Sequence, residues 1–137
     1  MSAVRARYVL IFDGGSIGNP GEAYGSFRLQ RSGSPPLPVQ RLTFGRGTNN
    51  EAEYKALLGG LEELRGVLAG EGHRPADVEI EVRGDSRLIL EQLRGAWRVK
   101  NQRLAGLHRQ ADELLEGFGR VRLVHQDRSR SVRILGH

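Results

Sequence analysis

Residues 48–68 read TNNEAEYKALLGGLEELRGVL. Leu57, Leu61, Leu64 and Leu68 recur at steps of four, three and four, which draws one apolar stripe along a helix and turns it toward a core. Four residues before Leu57 the stripe meets Glu53. A glutamate on the inner face of a helix is costly unless a metal ion or a positive partner compensates it. The plain alternative is a first turn at the rim, from which Glu53 reaches water. Thr48, with Glu51 three residues on, makes a capping box at the start of this helix, and Asn49 or Asn50 are further candidates for the cap.

Upstream, Tyr8 to Phe12 (YVLIF) is a continuous apolar run that fits a strand covered on both faces. It is expected to end at Asp13, because GGSIGNPGEAYG follows, with five glycines and one proline, and reads as a loop. Ala23 to Leu29 alternates around Phe27 as a second strand, RSGSPPLP (31–38) is a hairpin-like connection, and Val39 to Phe44 is a third strand. Downstream of the helix, a polar loop (69–77) leads to Val78, Ile80 and Val82 alternating with Glu79, Glu81 and Arg83, a strand that ends at Gly84-Asp85-Ser86. A short helix capped by Asp85 or Ser86 carries Leu88, Leu90 and Leu93. Trp97 sits in the connection to another helix, Gln102 to Glu116, and Arg120 to Val124 is the last strand before a basic tail from Gln126 to His137. An antiparallel meander followed by helix, strand, helices and strand describes an α/β fold with a mixed sheet. With no internal repeat and no long linker, residues 1–137 are expected to form one domain.

The chain has no cysteine, which excludes disulfides, thiolate zinc sites and cysteine nucleophiles. No apolar run approaches the ~20 residues that span a bilayer, and no signal-peptide pattern opens the sequence. The expectation is therefore a soluble, cytoplasmic, monomeric protein. The net charge of +5 comes mostly from arginine, which suits a polyanionic partner; GC-rich coding yields arginine-rich surfaces with no nucleic acid involved.

Asp13 and Asp85 each stand at the C-terminal end of an apolar strand, the edge at which sites form in open sheets with crossover helices. A right-handed crossover would pack the 48–68 helix over the central strands and aim Glu53 at that same edge. Three carboxylates so close raise one another's pKa and cost stability unless a cation is bound. Oxygen-only ligands suit Mg²⁺ or Mn²⁺ rather than zinc. Two such ions ~4 Å apart would activate a water and stabilise the leaving oxygen in phosphodiester hydrolysis.

DGGSIGNPG (13–21), TNNEAEYKAL (48–57) and RGDSRLILEQL (83–93) resemble the three acidic motifs of type 1 ribonuclease H, in the same order and spacing over most of the chain. The resemblance implies a five-stranded mixed sheet in the order 3-2-1-4-5 with helices on both faces, and a metal-dependent endonuclease that cleaves the RNA strand of an RNA–DNA hybrid. It makes Asp13, Glu53 and Asp85 the catalytic metal ligands for Mg²⁺ or Mn²⁺, and Asn19, Asn49 and Asn50 contacts to the hybrid. Amide side chains can read a 2′-hydroxyl in a shallow minor groove; a turn role for Asn19 and a cap role for Asn49 are the plain alternatives. Arg87 stands where relatives often carry glutamine and would take a phosphate. The connection 95–100 is short, as in family members without a basic protrusion.

The tail departs from the family pattern. Arg133 occupies the position of the family's fourth carboxylate, and four residues later the sequence stops, which leaves at most two turns of a last helix. Three outcomes follow: three carboxylates hold the metals more weakly, or the domain binds hybrids with little catalysis, or Asp127 moves in as the fourth ligand. His125 lies in or just beyond the last strand, where relatives place a catalytic histidine in the following loop. His73 and His108 read as structural or solvated. His137 would share a face with Arg133 in a helical tail, but a terminal residue frays.

Overall fold

In the computed structural model, which describes residues 4–136, the leucine stripe is fully buried at all four positions and forms the packing face of helix α1 (Asn49–Glu71). The capping box is made. The Thr48 hydroxyl accepts from the Glu51 N–H at 3.2 Å, and the Glu51 carboxylate accepts from the Thr48 N–H at 3.2 Å. Thr48 is thus the cap, and Asn49 and Asn50 lie inside the helix. At the far end Gly72 adopts φ +75°, the left-handed conformation that closes a helix most easily without a Cβ.

Five strands follow one another as β1 (Ala6–Ile17), β2 (Gly21–Arg31), β3 (Gln40–Gly47), β4 (Val78–Gly84) and β5 (Arg120–His125). Their order in the sheet is β3-β2-β1-β4-β5, as the resemblance implies. The pairs β1–β2 and β2–β3 are antiparallel, and β1–β4 and β4–β5 are parallel. The remaining helices are α2 (Arg87–Arg94), α3 (Gln102–Glu116) and α4 (Arg128–Leu135). Leu10, Phe12, Phe27 and Leu29 from the sheet join the α1 leucines and Val78, Ile80 and Val82 in one core. A buried hydrogen bond from the Tyr54 hydroxyl to Gln92 Oε1, 2.6 Å, ties α1 to α2. Helix α4 packs against β1 and β2 and buries Ser131 and Leu135. Among the described residues no helix is long and apolar enough to cross a membrane.

One expectation fails. Strand β1 does not end at Asp13: it continues through Ile17 and stays paired with β2, Gly14 opposite Gly25 and Ile17 opposite Glu22. The glycines at 14 and 15 are there for close approach, not for turning. A Cβ on Gly14 would lie 2.5 Å from the Ala52 carbonyl carbon, and one on Gly15 would lie 2.8 Å from the Tyr24 hydroxyl. The reversal itself is confined to residues 18–20, where Gly18 has φ +77°.

Candidate active site

Parallel pairing of β1 with β4 stops at Ile11 opposite Arg83, whereas antiparallel pairing of β1 with β2 runs on to Ile17. The two central strands therefore part just before Asp13, at the point where the strand order reverses, which is where open α/β sheets place their sites. Asp85 follows β4 directly. Glu53 arrives from above, because the bare backbone of Gly14 lets the first turn of α1 settle against β1 at Ala52 and Glu53. One carboxylate oxygen from each of Asp13, Glu53 and Asp85 lies within 4.8 Å of the other two, and all three residues are half-buried.

Burial and mutual repulsion show in their acidities. Glu53 is pushed up from 4.5 to about 8, first by burial. The Ser86 hydroxyl, which hydrogen-bonds it, and Arg128 pull it back, while Asp85 and Asp13 push it further. Asp13 is raised from 3.8 to about 6, again first by burial and then by the charge of Asp85, against the Gly14 N–H and Arg128. A hard divalent cation fits this donor set, since all the donors are oxygens on rigid elements and a cation removes the repulsion that holds protons on them. The cleft around the three acids has a volume of about 310 Å³ and is also lined by Ser16, Tyr24, Asn49 and Arg128. At ~30 Å³ per water it has room for roughly ten waters, or for ions with part of their hydration.

Of the substrate-contact candidates, Asn49 lies in the cleft. Its Oδ1 accepts from the Ser16 N–H (2.7 Å) and the Ser16 hydroxyl (3.3 Å), which fixes the amide and leaves its NH₂ as a donor. Asn19 accepts from the Asn49 N–H at 3.1 Å, so the turn after β1 is tied to the start of α1. Asn50 is half-buried and Arg87 exposed, and neither lines the cleft. His125, the last residue of β5, sits opposite Gly84, and its Nε2 is 3.2 Å from the Asp85 carbonyl oxygen. That contact needs the proton on Nε2.

The expectations for the tail need correction. Asp127 does not join the acidic group; it precedes α4 with its side chain exposed and making no cap bond. Arg133 does not stand over the acids either. It lines a separate cleft with Arg28, Arg130 and Ile134. The arginine that does face the acids is Arg128, which the sequence reading missed. The reason is helical geometry: with Leu135 turned inward, the residue seven before it shares its side of α4, and Arg133, five residues after Arg128, falls well round the helix. That spacing is the one signal that could have found it. His108 is structural, as expected, with Nε2 3.0 Å from the Gln92 carbonyl and its ring edge-on to Tyr54. His137 lies outside the described residues.

Comparison with known proteins follows the same lines. Residues 39–133 match a family model described as "Reverse transcriptase-like". A bifunctional protein of Mycobacterium tuberculosis is 37% identical over 127 residues, 92% of this chain and 33% of its own length. The chain thus spans about a third of the length of the curated mycobacterial relatives it matches. The crystal structure of RNase H1 from the halophilic archaeon Halobacterium salinarum superposes with a TM-score of 0.79 at 38% identity, covering 93% of this chain and 90% of that one. LC11-RNase H1, solved in complex with an RNA/DNA hybrid, superposes with a TM-score of 0.81 at 31% identity over 92% of this chain and 89% of its own.

Proposed function

This chain belongs to the type 1 ribonuclease H family, and on that premise we propose that it cuts the RNA strand of RNA–DNA hybrids by metal-dependent endonucleolytic hydrolysis. The observation that carries the proposal is the convergence of Asp13, Glu53 and Asp85, with ligand oxygens within 4.8 Å of one another, from three separate elements. The hybrid as substrate is supported by likeness to LC11-RNase H1. Bound Mg²⁺ or Mn²⁺, two ions in our proposal, supplies Lewis acidity and a water of lowered pKa.

The chain's own residues do the rest. Asp13, Glu53 and Asp85 hold the cations, and Glu53 must give up its proton to do so, since its pKa of about 8 keeps it largely neutral at pH 7. The free NH₂ of Asn49 points from the cleft wall as a donor suited to a 2′-hydroxyl, the group that separates RNA from DNA. Asn19 secures the start of α1 through the Asn49 N–H. The guanidinium of Arg128, whose charge lowers the pKa of Asp13 and Glu53, faces the place where a scissile phosphate would lie. His125 positions the backbone of Asp85 through its carbonyl.

The test is cleavage of end-labelled hybrid in Mg²⁺ and in Mn²⁺, with Asp13→Asn as control and sedimentation to check that the active species is a monomer. Internal cuts in the RNA strand that vanish in the control are the expected result. Tight binding of hybrid without cleavage in either metal would overturn the enzymatic proposal.

A further inference from the structure

A second cleft lies between β2 and α4, with a volume of about 460 Å³, lined by Arg28, Arg130, Arg133 and Ile134. No acidic residue lines it, and among the described residues none of its three arginines takes part in an ion pair. Across β1, β4 and β5 the arrangement differs: there Arg7, Arg83, Arg120 and Arg122 each contact Glu79 or Glu81. Arg28 is the most exposed to this imbalance. Its Nε is buried and has no hydrogen-bond partner, and its guanidinium reaches only Gln30 Oε1, at 3.5 Å. Three cations converging on one recess repel one another, and an anion there would relieve the repulsion and satisfy the buried N–H.

The place of this recess matters as much as its charge. Ser26, two residues before Arg28 on β2, pairs with Asp13. At ~3.3 Å per residue Arg28 is therefore ~7 Å along the strand from the acids, about two base steps of ~3.4 Å on a nucleic-acid duplex. Helix α4 joins the two clefts, with Arg128 at the acids and Arg130 and Arg133 at the recess. We infer that the Arg28–Arg130–Arg133 recess is a second anion subsite, and that it takes a backbone phosphodiester of a polynucleotide whose neighbouring residues lie at the acidic cleft. The planar guanidinium fork matches paired phosphate oxygens in a way an ammonium does not. The inference rests on the polynucleotide substrate proposed above.

Binding of a fluorescein-labelled RNA–DNA hybrid, followed by anisotropy in EDTA across a salt series, tests the subsite without cleavage. Arg130 and Arg133 are exposed, so Arg130→Gln/Arg133→Gln should not lower the melting temperature. The expected result is roughly tenfold weaker binding and a log K against log salt slope smaller by about 2. Arg130→Lys/Arg133→Lys, which keeps the charge, should keep most of the slope. An unchanged slope in the glutamine pair overturns the inference, and so does an equal loss in both pairs, which would report packing rather than charge. A parallel arm uses inorganic phosphate. If phosphate raises the melting temperature of the native protein and not of the glutamine pair while the hybrid slope stays the same, the recess binds free anions and the strand assignment fails. If the native protein binds no hybrid at all, the polynucleotide substrate fails first.

Discussion

Glu53 carries a pH dependence whose sign can be worked out. Its carboxyl titrates near 4.5 in an unfolded chain and at about 8 in the fold. Below pH 4.5 both states hold the proton. Between pH 4.5 and 8 the unfolded chain releases it and the folded chain keeps it, so stability falls as pH rises through that window and stays low above it. Asp13 adds a smaller effect of the same sign between pH 3.8 and 6. We therefore expect metal-free Glu53→Gln to melt several degrees above the native protein at pH 8.5, with the gap closing at pH 4, because each kcal/mol moves the midpoint of a domain this size by roughly 3–5 °C. Melting curves at the two pH values check it, and an equal offset at both would count against Glu53 as the source. Mg²⁺ at pH 8.5 should raise the native midpoint by mass action and that of the glutamine variant much less. At this scale the sequence was informative about the acids and poor about the bases. Asp13, Glu53 and Asp85 announce themselves by an acid that closes an apolar or alternating run, or by an acid on a leucine stripe. Arg128 announces itself only by its seven-residue spacing to Leu135, since its importance comes from which way a short terminal helix faces, and the seven polar or charged residues from His125 to Ser131 give no facing of their own.

Among the elements, β1 and α1 set the site between them. Their contact is glycine backbone against helix backbone, so Gly14→Ala has no flexible neighbour to push aside: its Cβ would meet the Ala52 carbonyl at 2.6 Å. The helix must lift, and Glu53 with it. Overpacking of this kind costs roughly 1–3 kcal/mol. The expected outcome is that loss in urea unfolding together with weakened Mn²⁺ binding by calorimetry; a variant that lost stability yet bound Mn²⁺ as before would show that the helix does not carry Glu53 away. The same glycines explain why the end of β1 was illegible. Glycine serves both turns and close approaches, and GGSIGNPG contains both uses in one run. Only the partner surface, absent from a linear sequence, separates them. By contrast α1 was legible to its cap, because Thr48, Glu51 and four leucines make a periodic signal that depends on no other element.

The whole molecule distributes its charge unevenly. The excess of five positive charges is not spread as a uniform surface coat. The acids on β4 pair with arginines on β1, β4 and β5, whereas Arg128 faces the acids of the cleft and Arg28, Arg130 and Arg133 line the recess beside it. Composition alone could raise a polyanionic partner, but not say where it would touch, because placement depends on strand order. That order, 3-2-1-4-5, was within reach only through the resemblance of the three acidic motifs to type 1 ribonuclease H, which implies it.

The early parting of β1 and β4 has a mechanical corollary. Asp13 and Glu53 ride on one contiguous N-terminal unit, and Asp85 just past the end of the next strand across the gap. A cation shared by all three would act as a rivet at the open end of a seam whose ladder of amide bonds stops at Ile11 and Arg83. Fluctuations that spread the two halves should then be quenched by Mg²⁺, and the amides of residues 84–86 should be slowed in deuterium exchange by a larger factor than those in the middle of α1, which slow only by the overall gain in stability. Equal slowing in both places would mean global tightening and no rivet.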